Sequence, residues 1–231
     1  MKLSACILTL NNEVFIRPCL ESVKPYVDEI VIIDSFSTDK TLEIAREYTD
    51  KIFSIEPCAG AMPRNYGIEC CTGDWVFMLD SDELVSNAFK DIKSFLEITP
   101  INALVLPRFQ VAGIDPLTYK SGDKYYPDYQ YRLLRKDSPA RYERVVHEII
   151  TDKKPILPIS THLFHFNLML MDYGDRYAKD VKYNNLQAGA GFWRSTPFAI
   201  LDCNKKDEID ENVMELIRKV PFKNDERVIN F

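Results

Sequence analysis

The chain has 231 residues, 46% of them hydrophobic and 28% charged, and carries a net charge of −6 with a pI near 5.2. That length holds one compact domain, or one domain with a small appendage, around a full core. An acidic chain without a basic block is poorly suited to duplex DNA or an anionic membrane, although local basic groups still suit a small phosphate ligand.

The first run, Leu3 to Leu10 (LSACILTL), is short and apolar and gives way to Asn11 and Asn12, which predicts a buried strand ending in a loop. Val14 to Val23 has helical spacing, with Phe15, Cys19, Leu20 and Val23 on one side. Glu29 to Ile33 (EIVII) is a second continuous apolar strand and stops at Asp34. A helix capped by Ser37 or Thr38 then runs to Tyr48. Lys51 to Ile55 reads as a third strand, residues 61 to 71 as a helix, Trp75 to Leu79 as a fourth strand and residues 86 to 97 as another helix. Strands alternating with helices predict a mostly parallel sheet covered on both faces. Such sheets bind ligands beyond the carboxyl ends of their strands. That edge gathers Thr9 and Asn11, Asp34 to Asp39, and Asp80 to Glu83.

After residue 100 the rhythm changes. Ala103 to Pro107, Arg108 to Val111 and Tyr129 to Leu134 read as strands without intervening helices. Residues 155 to 166 add strand-like pieces around His162 and His165, and residues 172 to 190 and 207 to 219 read as helices. The segment Asp115 to Asp128 (DPLTYKSGDKYYPD) is rich in aromatic and turn-forming residues, which suggests an acceptor-contacting loop or a lid. Six cysteines, at 6, 19, 58, 70, 71 and 203, include no C-x-x-C pair, so reduced and mostly buried thiols are expected. No secretory signal precedes the strand starting at Leu3, and no apolar stretch nears the roughly 20 residues of a membrane helix. The expectation is a soluble cytosolic protein that meets any membrane-bound partner from the surface.

The sharpest chemical feature is GDWVFMLDSDELVS, residues 73 to 86, where an apolar run ends in Asp80, Asp82 and Glu83. Carboxylates this close need a positive partner. In one reading Ser81 or Asp82 caps a helix beginning near Leu84. In the other, Asp80 and Asp82 hold Mg²⁺ or Mn²⁺, which favour dense oxygen ligands and share their shell with phosphates. A single D-x-D triplet does not choose between them.

Four stretches in order add context: SACILTLNNE (4–13), DEIVIIDSFSTDKTLEIAREY (28–48), PRNYGI (63–68) and GDWVFMLDSDE (73–83). Together they resemble the family 2 glycosyltransferases of the GT-A fold, especially the small bacterial branch of lipopolysaccharide-core glucosyltransferases. The resemblance is dense over residues 3 to 97 and continues sparsely through QYRLLRK (130–136), VVHEII (145–150) and His165. It implies one α/β domain with a Rossmann-like, mostly parallel central sheet flanked by helices, a smaller mixed sheet and C-terminal helices. Residues 1–99 would form the nucleotide-binding half, 100–171 the acceptor-side half and 172–231 a helical segment.

The resemblance also implies roles. Thr9, Asn11 and Glu13 stand where the family holds the nucleotide, and Asp34 matches the acid that reads the base, usually uracil. Arg64 stands near the nucleotide or diphosphate, with Asn65 bracing the loop and Ser81 lying in the same donor site. Asp82 would ligate Mn²⁺ or Mg²⁺, Asp80 would face the ribose or the ion's waters, and Glu83 would be structural, capping a helix or bracing Arg64. His165 matches the family's late histidine, a metal or phosphate contact. The implied reaction is metal-dependent and inverting: a sugar passes from a nucleoside diphosphate, with a UDP-sugar as the expected donor, to a hydroxyl of a glycan, lipid-linked glycan or protein. The hydroxyl needs a general base on the attacking face. Glu148 is the first candidate and matches the family's His-Glu pair; Asp128 is the second. The competing reading is a non-catalytic module that binds a nucleotide sugar. An NAD enzyme is excluded because no G-x-G-x-x-G follows a strand.

Overall fold

The computed structural model describes residues 1–58, 60–114, 117–120, 126–145, 147–151, 157–186, 198–202, 209–223 and 228–229. Val146, Cys203 and residues 187–190, 115–116 and 121–125 lie outside the described residues.

The front half alternates as the sequence predicts. Strands β1 (Leu3–Thr9), β2 (Glu29–Asp34), β3 (Ile52–Ser54) and β4 (Trp75–Asp80) are separated by helices α1 (Ile16–Val23), α2 (Thr41–Ala45) and α3 (Ala61–Cys70). The first three strands and β4 are parallel, in the order β3-β2-β1-β4. Successive residues face opposite layers. Trp75, Phe77 and Leu79 join the core under α1, while Val76 and Met78 join the core under α3. All five are fully buried, which is why β4 reads as an unbroken apolar run. Helix α3 lies close to the sheet because residue 67 is glycine. A Cβ there would stand 2.3 Å from the Cys6 sulfur.

The structure departs from the sequence reading just after β4. Residues 83–85 form a short strand, β5 (Glu83–Val85), not the first turn of a helix. Ser81 and Asp82 therefore cap nothing. The cap is Ser86, whose hydroxyl accepts from the Ala88 N–H at the start of a 3₁₀ turn leading into α4 (Ile92–Ile98). The apolar residues of this segment fill the sheet environment, so local capping propensity loses to burial.

Two expected strands merge into one long β6 (Ala103–Ile114), and β7 (Leu117–Lys120) occupies part of the expected loop. Next come β8 (Asp128–Arg135), β9 (Tyr142–Glu143), β10 (Ile149–Ile150), β11 (Leu157–Pro158) and β12 (Leu163–His165). Then follow α5 (Asn167–Leu170), α6 (Tyr173–Leu186), β13 (Phe198–Asp202), α7 (Glu211–Ile217) and β14 (Val228–Ile229). Strand β8 runs antiparallel between β4 and β6, so the second half extends the first half's sheet. Strand β12 lies between β5 and β6, opposing Glu83 on one side and Gln110 on the other with His165. The hairpin β9–β10 stands apart from the main sheet and packs on α3. Among the described residues, no helix is long and apolar enough to cross a membrane.

Candidate active site

The carboxyl ends of three parallel strands meet at one edge. Thr9 is level with Asp34, and Leu8 with Asp80. They open on a cavity of about 1290 Å³ that Thr9, Asn11, Arg64, Asp80, Ser81, Asp82, Glu148 and His165 all line. The topology therefore brings most of the sequence-predicted residues together. Glu13 and Asp34 do not line it. Glu13 is exposed and accepts from the Lys40 N–H. Asp34 is fully buried, with its two oxygens taking the Ser37 N–H and hydroxyl at 2.9 and 2.5 Å.

Beneath the cavity lies a continuous network of charge. Arg64 contacts Asp80 at 2.9 Å and reaches Glu148 at 3.6 Å. Arg132 donates to Asp80 and to Glu83, each at 2.6 Å. Arg108 donates to Glu83 at 2.8 Å and to Asp128 at 2.6 Å. Gln110 and Gln130 complete the shell of Asp128 at 2.9 and 2.6 Å. Strand periodicity explains this gathering. Asp128 and Gln130 alternate onto one face of β8, as do Arg108 and Gln110 on β6, Arg108 is paired with Asp128 in register, and Arg132 sits where the β6–β8 register shifts.

Burial alone would raise the Asp80 carboxyl, but Arg132 and Arg64 hold it well below the usual carboxylate range. Asp128 is also lowered, against its burial, by Arg108. Its carboxylate is committed to cations and amides, so it is poorly placed to act as a base. Glu83 is fully buried and structural, as expected, but it braces Arg108 and Arg132, not Arg64. Arg132 sits beneath the acids with 2% exposure, and Arg135 stacks over Trp75 away from the cavity.

Asp82 and His165 form the second cluster. His165 Nε2 lies 3.2 Å from Asp82 Oδ2, and Asn167 donates to the same oxygen at 3.1 Å. The Gln110 amide donates its NH₂ to Asp128, leaving its oxygen 2.7 Å from His165 Nδ1. Nδ1 then donates to Gln110, and Nε2 is the ring nitrogen that faces the carboxylate. An unprotonated Nε2 there would set two acceptors against each other, so a proton or a cation belongs between them. Burial would raise Asp82, yet His165, helped by Lys179, holds it far below its ordinary value. A nitrogen and a carboxylate oxygen fit Mn²⁺ or Mg²⁺ completed by phosphate and water. Among the described residues no three-carboxylate or histidine cluster exists, and both Asp80 oxygens are engaged by arginines.

The profile of the family described as Glycosyl transferase family 2 matches residues 4–156. The chain belongs to glycosyl transferase family 2. This family 2 chain is 30% identical over 203 residues to the lipopolysaccharide core biosynthesis glycosyltransferase LpsC of Rhizobium meliloti, covering 81% of the chain and 71% of LpsC. It is also 30% identical over 154 residues to a TPR repeat-containing protein of Synechococcus elongatus. There the match takes 65% of this chain but only 36% of the relative, so the chain spans about a third of that protein. Among solved structures, S. aureus TarS in complex with UDP-GlcNAc superposes with a TM-score of 0.51 at 19% identity, covering 81% of this chain and 68% of TarS. That likeness is one of fold, and it places the expected GT-A architecture on firm ground.

Glu148 of this family 2 chain sits on the β9–β10 hairpin. Asn65 fixes that hairpin to α3 by pairing with both backbone groups of Tyr142, at 3.0 and 2.9 Å. Gly60 makes the second clamp. It adopts φ +83°, and a Cβ there would lie 2.4 Å from the Arg144 carbonyl, which accepts from Ala61 N–H. His147 is exposed beside Glu148 with φ 55°. His162 proves a core histidine, stacked on Phe109 and bonded to Tyr126. Sequence reasoning missed Arg108, Gln110, Asn167 and Lys179. The signals were there: two polar residues two apart within an apolar strand, and an amide two residues past His165.

Proposed function

We propose that the chain is a metal-dependent inverting glycosyltransferase that moves a sugar from a nucleoside diphosphate sugar, with UDP as the nucleotide, to a hydroxyl of a glycan, lipid-linked glycan or protein. Family membership supports sugar transfer, and the facing pair of Asp82 and His165 Nε2 carries the metal dependence. Asp82 and His165 would hold Mn²⁺ or Mg²⁺. When bound, the ion supplies positive charge to the departing diphosphate.

The chain's own residues do the rest. Thr9, whose buried hydroxyl lacks a partner among the described residues, Asn11 and Ser81 hold the nucleotide along the strand ends. Asp34 lies behind them, shaping the Ser35–Ser37 loop that meets the base, and Glu13 shapes it from outside through Lys40. Arg64 and Arg132 keep Asp80 ionised as an acceptor for ribose hydroxyls. Glu148 takes the proton of the attacking hydroxyl as its oxygen bonds to the anomeric carbon and the bond to the diphosphate breaks. Arg64, touching both Asp80 and Glu148, holds the base in register with the donor.

Nucleotide sugars are screened by thermal shift with Mn²⁺, and nucleotide release is then followed with the best donor. The proposal expects Mn²⁺-dependent binding and turnover, with the Mn²⁺-dependent part lost in Asp82→Ala. Unchanged Mn²⁺-dependent affinity in that variant sinks the ligand assignment. Binding without hydrolysis or transfer would instead identify a non-catalytic module.

A further inference from the structure

We propose that Lys179 binds the diphosphate of the donor and neutralises it as the leaving group, which makes α6 a wall of the active site. This rests on the reading that the cavity takes a nucleoside diphosphate sugar. A surface helix normally turns its charged face to water. Helix α6 exposes Asp175 and Lys182 but also takes charge inward. Arg176, Lys179, Asp180 and Tyr183 follow one another at the spacing that shares a helix face. Arg176 and Asp180 have no exposed surface, and Lys179 and Tyr183 line the cavity. On the outside, Tyr177 and Leu186 are 46% and 44% exposed. The inward face therefore brings a lysine and a tyrosine to the cavity above a buried arginine and aspartate.

The wall is tied to the metal-type cluster. Arg176 donates to the Leu168 carbonyl in α5, the same short helix that begins with Asn167, a donor to Asp82. Lys179 lines the same cavity as Asp80, Ser81 and Asp82. Arg64 and Arg108, the other cations of this region, are committed to carboxylates. Lys179 makes no ion pair among the described residues; its nearest marked contact is the Tyr183 ring, 5.9 Å away. Arg144 also lines the cavity, but on the loop that carries Glu148. In-line displacement puts the base and the leaving group on opposite sides of the anomeric carbon. Lys179 shares the α5–α6 wall with Asn167, the donor to Asp82, and is assigned to the leaving side, where a flexible ammonium suits a phosphate that moves as it departs.

Calorimetric titrations in Mn²⁺ with UDP and with UMP test this in the wild type, Lys179→Met and Lys179→Arg. Lys179→Met should weaken UDP about tenfold and UMP by less than about twofold, while Lys179→Arg should retain most of the UDP affinity. Equal weakening of both nucleotides, or unchanged UDP affinity, overturns the role of Lys179. A wild type that binds none of UDP, GDP or dTDP overturns the donor reading as well, so the two failures are distinguishable. Thermal melts of both variants confirm that they fold.

Discussion

Glu148 and Glu83 are both carboxylates near arginines, yet their positions predict opposite phenotypes. Glu148 is partly exposed at the cavity and touches Arg64 only loosely, at 3.6 Å. Glu148→Gln should leave nucleotide binding and the melting temperature nearly unchanged while lowering turnover by about 10²–10⁴-fold, the usual worth of a general base. Single-turnover assays beside nucleotide titrations separate these effects, and near-normal turnover moves the base elsewhere. Glu83 is fully buried between Arg108 and Arg132. Glu83→Ala removes the carboxylate that two buried guanidinium groups share, leaving Arg132 on Asp80 and Arg108 on Asp128, and should cost about 3 kcal/mol in urea unfolding. A loss below about 1 kcal/mol would mean that water or a neighbouring acid replaces it. The sequence reading takes Glu83 as structural, capping a helix or bracing Arg64. The true partners come from β6 and β8, and a contact across 25 or 49 residues leaves no local trace. Asp82 and His165 were legible because each carries chemistry on its own, whereas the tautomer-fixing Gln110 was not.

Elements are held by latches at both ends of the sheet. At the amino ends, Glu29 at the start of β2 accepts from Ser4 in β1, from Lys51 just before β3, and from the Thr72 N–H and hydroxyl ahead of β4. Burial opposes its charge, but Lys51, Ser4 and Thr72 prevail and bring its carboxyl from 4.5 down to about 2. A depressed carboxyl stabilises the fold fully above its unfolded value and loses that contribution as pH falls through its folded value. Wild type should therefore exceed Glu29→Gln by about 2 kcal/mol at pH 7, allowing for partial screening, and the gap should close between pH 4.5 and 2. Urea unfolding of both proteins across that range checks it; a constant gap refutes the latch. At the carboxyl ends, the β9–β10 hairpin depends on Asn65. Asn65→Ala should cut turnover at least about tenfold by freeing Glu148, while UDP affinity stays within about twofold. Equal losses in both would place Asn65 in nucleotide binding. The front elements were legible because continuous apolar runs and helical spacing are local. Strand β5 was misread because SDEL looks like a helix start, and only its pairing with β12 reveals a strand.

At the scale of the molecule, the boundary near residue 99 divides sequence patterns without dividing the core. Strand β4 is hydrogen-bonded to β1 on one side and to β8 on the other. The acids that end the front half are neutralised by Arg108 and Arg132 from the back half, and Asp82 faces His165 from β12. A fragment ending at residue 99 would expose the length of β4 as an apolar edge and leave Asp80 and Glu83 without two of their cations. Such an edge is a template for aggregation. The fragment should therefore be insoluble or unfolded by circular dichroism and should not bind UDP, although it contains most of the resemblance to family 2. The full chain carrying Trp193→Phe, which leaves Trp75 in the shared core as its one tryptophan, should unfold in one transition whose midpoint is the same by far-UV circular dichroism and by tryptophan fluorescence. A soluble, UDP-binding fragment, or separate midpoints, would show the halves to be independent. The alternating front pattern suggested a nucleotide-binding half because strand-to-helix rhythm is written locally. What makes the half a site, the arginines beneath its acids and the histidine beside its aspartate, is supplied by strands that must first find their register across the whole sheet.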